Sequence, residues 1–213
     1  MASDQLLDDL VASLAPVRRR NPLREGLLLA LVGAVELGLY LALGRIRPDL
    51  SMAMHMPSFW WKVACLGALT VIGAITAIRS FDPTASPRPG LRWMALLLGA
   101  ALVSGWAIDA ANAGAEMLRA RLMWRHGIDC VIAVVILSIP PSVVLALLMR
   151  RGAPTDRKGS ALAIGFAGAA WGSFVFIFNC PHDDPFYIAV WYSVAGLAVA
   201  AIWRLVLPLL TRW

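Results

Sequence analysis

Apolar residues run through this chain in long continuous stretches, each close to the roughly 20 residues needed to cross a hydrocarbon core as a helix. Six such stretches lie near residues 25–44, 58–79, 92–111, 128–149, 159–178 and 185–207, separated by short breaks rich in charge, proline or glycine. Their continuity favours helices over barrel strands, which would alternate over segments of about ten residues. The pattern predicts an all-α membrane protein: six transmembrane helices in a bundle, residues 25–213, preceded by a short amphipathic helix in a tail, residues 1–24. The short connections leave no room for an inserted soluble catalytic domain.

The tail differs in kind. Ser3 or Asp4 can cap a helix whose first turns are acidic, and Pro16 disfavours helix at Ala15, so the helix is expected over about residues 4–14. Leu6, Leu7, Leu10, Val11 and Leu14 then share one face, with Asp8, Asp9 and Ser13 away from it. A helix so short is marginal alone in water and needs a partner: the bilayer surface, the bundle or a protein groove.

Composition agrees with the membrane class, since 60% of residues are hydrophobic and only 15% charged, more apolar surface than a soluble core of this length can hide. The net charge of +6 is a topology signal. Thirteen of the 19 Lys and Arg residues fall on one side of the six-span layout, which places both termini in the cytoplasm of a bacterial inner membrane and gives no warrant for direct nucleic-acid binding. The first stretch lacks a small-residue cleavage site and reads as a span.

Three cysteines remain to be placed. Cys65 lies within the second span as a small hydrophobe. Cys130 opens the fourth and Cys180 follows the fifth, so both thiols emerge at the outer side, where an oxidising compartment permits a disulfide. Around them, His126, Asp129 and Cys130 in HGIDC, and Cys180, His182 and Asp183 in CPHDD, supply thiol, imidazole and carboxylate donors of the kind that hold thiophilic cations. Alternatively, His182, Asp183 and Asp184 are polar turn residues between Pro181 and Pro185. Glu36 and Asp109 fall in apolar stretches, and a cation transporter or channel would run through them. A thiol oxidoreductase would use the two outer cysteines, but no close CxxC is present. Trp60, Trp61, Trp93, Trp124, Trp191, Trp203 and Trp213 sit near span ends as interfacial anchors. No nucleotide loop, nucleophile elbow or HExxH pattern occurs, and no resident cofactor is expected beyond transient metal at Cys130 and Cys180.

Taken together, LLDDLVASLAPVRRRNPLR at residues 6–24, Cys130 followed by Ile139 and Pro140, and CPHDDPFYIAVWY at residues 180–192 resemble the NrsF family of anti-sigma factors. The resemblance implies a regulator, not an enzyme. It implies that Leu6, Leu7, Leu10, Leu14, Pro16, Val17, Arg18 and Arg19 grip an extracytoplasmic-function sigma factor. It also implies that Cys130 and Cys180 sense metal or oxidative stress. Where the family pattern continues the paired arginines with an apolar residue and a double proline, this chain has Arg20 and a single Pro22.

Overall fold

In a computed structural model of the chain, the structure describes residues 20–44, 46–110 and 124–210, together with Ala12, which is helical and exposed. Apart from Ala12, the expected tail helix, and all of the expected sigma-gripping residues Leu6, Leu7, Leu10, Leu14, Pro16, Val17, Arg18 and Arg19, lie outside the described residues. Among those described, every regular element is helical: α1 Pro22–Ala42, α2 Leu50–Ala53, α3 Pro57–Ser80, α4 Arg88–Ala110, α5 Trp124–Leu137, α6 Ile139–Arg150, α7 Arg157–Phe176 and α8 Pro185–Leu210.

Five helical segments are long and apolar enough to cross a membrane: α1, α3, α5 with α6 as one 27-residue stretch, α7 and α8. The third expected span corresponds to the 23-residue α4, which ends against residues 111–123, outside the described set. Helix starts follow local chemistry. Asn21 caps α1 by accepting from the Leu23 and Arg24 N–H groups, with Pro22 in the first turn, and Asp156 caps α7 through Gly159. The fourth expected span breaks at Ser138, because Pro140 and Pro141 bring no backbone donors to the first turn of α6.

Helix α7 is the centre, touching α1, α3, α5, α6 and α8. The small residues along it permit that approach. A β-carbon on Gly165 would stand 2.6 Å from the Ala200 backbone, and one on Gly172 would stand 2.7 Å from the Val134 carbonyl oxygen, beside the Ser138 break. Helix α1 is the least embedded: Leu23, Leu27, Leu31, Val35 and Leu39 are exposed, and Gly33, beneath the Trp171 indole, is its buried residue. Arg20, the departure from the family pattern noted above, pairs with Glu25 and lies 5.3 Å from the Phe81 ring centre, fastening the start of α1 to the end of α3.

Candidate functional site

At the end of the bundle remote from Arg20, the chain leaves α7 through a turn in which Asn179 and Cys180 donate to the Phe176 carbonyl at 3.0 and 2.9 Å. Pro181 then prevents further helix. The chain re-enters helix at Pro185, where the Asp184 side chain accepts from the Phe186 N–H at 3.0 Å. The five residues between, CPHDD, are too few to pair their own backbone carbonyls. Two cations from other elements do so instead.

Arg47, three residues beyond Gly44, is 4% exposed, and Lys62, in α3, is 1% exposed. The Arg47 guanidinium donates to the Cys180 carbonyl at 3.0 Å and the Pro181 carbonyl at 3.4 Å, and its own N–H donates to the Phe178 carbonyl at 2.9 Å. Lys62 Nζ donates to the His182 carbonyl at 3.0 Å. Both cations converge on the Asp183 carboxylate, Arg47 at 2.9 and 2.6 Å and Lys62 at 2.6 Å, and Arg47 forks a second time onto Asp49 at 2.7 and 2.6 Å. Two positive and two negative charges thus balance, the two cations buried and the Asp183 and Asp49 side chains 21% and 49% exposed, so that each buried cation has a paired counter-charge. Burial pushes the Asp183 carboxyl up, but the hydrogen bonds and charges of Arg47 and Lys62 outweigh it and hold it below the ordinary carboxylate range.

The loop so held carries Cys180, fully buried, against Cys130 of α5, 5% exposed; both are free thiols. Both belong to one buried core cluster together with Tyr187. Cys130 Sγ also lies 3.4 Å from the Tyr187 hydroxyl, and Cys180 Sγ lies 3.8 Å from the His182 carbonyl oxygen. The hydrogen bond from Cys130 lowers the Cys180 thiol below its ordinary range, assisted by the Lys62 charge and opposed by burial. Cys130 is fixed from behind, since Gly127, one turn earlier, lies directly under the Trp191 indole.

The structure therefore brings Cys130, Cys180, His182 and Asp183 to one end of the bundle, but not as a metal cage. Among the described residues no three His, Cys, Asp or Glu side chains assemble into a metal-binding group. Asp183 is engaged by Arg47 and Lys62, and Asp129 and His126 are exposed. His126 and His182 meet only edge to face, their ring centres 5.6 Å apart, and the His182 ring packs on Tyr187 at 4.5 Å. Burial, followed by the charge of His126, lowers the His182 pKa and favours the neutral imidazole. Of the residues proposed for metal, Cys130 and Cys180 share one core cluster as free thiols, while His126 and Asp129 are exposed and Asp183 is bound by Arg47 and Lys62.

Glu36 is tied across helices, accepting from Trp171 Nε1 at 2.9 Å. Trp191 is 5% exposed and belongs to the core, whereas Trp60, Trp93 and Trp124 stay outside it as anchors would. Arg47 and Lys62 are site residues that the sequence alone counts only among the six Lys and Arg of the outer side. Lys62 sits within a predicted span, and an ionisable residue there signals a buried partner.

Residues 10–213 match the family described as "Negative regulator of sigma F", NrsF. The "Anti-sigma-F factor NrsF" of Caulobacter vibrioides is 31% identical over 219 aligned residues, covering 100% of both chains. The "Probable anti-sigma-F factor NrsF" of Azospira oryzae is 28% identical over 184 residues, covering 82% of each. No solved structure matches the chain. The match takes in α1 to α8 and both cysteine segments, and on that extent the chain belongs to the NrsF family.

Proposed function

We propose that this chain is a membrane-bound anti-sigma factor, a regulator and not an enzyme. Residues 1–24 sequester an extracytoplasmic-function sigma factor at the cytoplasmic face, and oxidation of Cys130 and Cys180 releases it. The observation that carries the reading is the family match over residues 10–213, joined by the names of two relatives that align along most or all of their length. Six spans with both termini in the cytoplasm of the inner membrane complete the proposal, with α4 and the residues that follow it as the third. That layout is supported by the distribution of Lys and Arg and sets the thiol pair at the periplasmic end.

Oxidation is the favoured stimulus because two free, buried thiols share one core cluster while, among the described residues, no third His, Cys, Asp or Glu joins them as a metal-binding group. In the reaction with a peroxide, ROOH, both S–H bonds break, one S–S bond forms, and ROH and water leave. Coupling across the bundle requires the thiol and disulfide states to present different affinities for the sigma factor.

Candidate extracytoplasmic-function sigma factors incubated with the full chain, and with a chain lacking residues 1–24, test the first half. Capture of one of them by the full chain alone supports the reading; capture by neither chain overturns it. Replacing Cys130 and Cys180 with Ser tests the second half, and unchanged stress induction of sigma-dependent transcription in that variant defeats the sensor.

A further inference from the structure

Helix α1 joins the tail to the bundle, yet it is mostly exposed along its length. Specific contacts near its start, middle and end add to its packing beside α3 and α6. Arg20 fastens its start, Trp171 holds its middle at Gly33 and Glu36, and Arg47 docks the chain just past its end. Leu43 closes the helix, and Gly44 turns the chain with φ +69, a left-handed conformation that glycine adopts without strain. From there the chain reaches Arg47, which grips the carbonyls of Phe178, Cys180 and Pro181 as well as Asp183. The guanidinium that holds the Cys180 carbonyl thus belongs to a residue three positions beyond Gly44, the turn that follows α1.

Disulfide formation must bring the two sulfurs to about 2.05 Å of one another. Cys130 cannot readily supply that movement, because α5 is seated against Trp191 at Gly127 and against α7 at Val134. The movement falls on the non-helical loop of Cys180, whose carbonyl Arg47 holds.

We infer that Arg47 is a positioning residue that couples the thiol pair to the tail, tying the Cys180 carbonyl to the end of α1 so that closing the S–S bond moves the helix that presents residues 1–21. This rests on the reading that oxidation of Cys130 and Cys180 releases a sigma factor from the tail. Coupling of this kind is reciprocal: the bound sigma factor must disfavour the disulfide by the same factor by which the disulfide weakens sigma binding.

The test uses the full chain in nanodiscs and the sigma factor captured by it. Diamide serves as oxidant, an azo compound that takes both thiol hydrogens with their electrons and becomes the hydrazine. In the native chain, disulfide formation is expected to weaken sigma binding on the order of 5–150-fold, with an equal shift of the thiol–disulfide equilibrium when sigma is bound. In Arg47→Ala, the disulfide still forms, affinity in the thiol state stays within about twofold of native, and both shifts fall to about twofold or less. Inserting Gly-Ser-Gly after Gly44 slackens the connection while keeping every Arg47 hydrogen bond, and the same loss of coupling is expected even where Arg47→Ala fails to fold. Either variant showing native-sized shifts overturns the role of Arg47. A native chain whose affinity does not respond to its own disulfide instead overturns the sensor reading beneath it, so the two failures are distinct.

Discussion

Replacing Asp183 with Ala removes the carboxylate shared by Arg47 and Lys62 and leaves two nearly inaccessible cations with one fewer counter-charge. Arg47 retains Asp49, so the cost centres on Lys62, whose remaining partner is the His182 carbonyl. Breaking a buried pair from one side costs roughly 3–5 kcal/mol. The Asp183 side chain is 21% exposed, which places the expectation near the lower end, about 3 kcal/mol. Because Cys180 is fully buried, it meets a small alkylating reagent only when the loop opens. A loss of about 3 kcal/mol should raise its alkylation rate about a hundredfold, at about 1.4 kcal/mol per tenfold. Removing the stranded cation as well, in Asp183→Ala with Lys62→Met, should recover much of that loss, since an apolar side chain carries no desolvation penalty. An increase below about threefold in Asp183→Ala, or a double variant more reactive than the two single effects combined, would refute the view that the loop is held by a buried charge cluster.

Three further outcomes are expected. Gly127→Leu should lower stability by about 1–3 kcal/mol or more by forcing a side chain into the Trp191 indole, while Gly196→Ala, with open space at its β-carbon, should be nearly neutral; thermal unfolding in detergent, followed by the fluorescence of the nine tryptophans, separates them. Cys130→Ala removes the hydrogen bond that chiefly favours the Cys180 thiolate, so the Cys180 titration should move upward, read as thiolate ultraviolet absorbance against pH. Asp183 is held below the usual carboxylate range and Asp49 down to about 2, so their contribution to stability is fully present above about pH 4 and is lost as pH falls through the depressed values. Thermal midpoints should therefore drop toward pH 2 in the native chain and drop less in Asp183→Asn, and parallel acid profiles would contradict the assignment.

The long apolar runs were legible from order along the chain alone, because the bilayer demands a continuous stretch of fixed length whatever packs beside it. The 58–79 stretch became α3, Pro57–Ser80, and the 159–178 stretch became α7, Arg157–Phe176, each within about two residues at either end. That Cys130 and Cys180 come to the same end of the bundle was also readable, since antiparallel spans return their ends to the same side. Topology did not reveal which face of each helix turns inward. Trp191 looked like an anchor and is core because Gly127 opens a seat for it, and Asp183 looked like a ligand but is the counter-ion of Arg47 and Lys62.

The sequence by itself determined that the chain forms long apolar helices able to cross a membrane, roughly where several of them lie, and which family it belongs to. Each follows from patterns local to a segment. Only the tertiary structure decided that Arg47, Lys62 and Asp183, distant in sequence, enclose the backbone of Cys180. Which carboxylates neutralise the buried cations depends on distances across the bundle, and local pattern does not encode them.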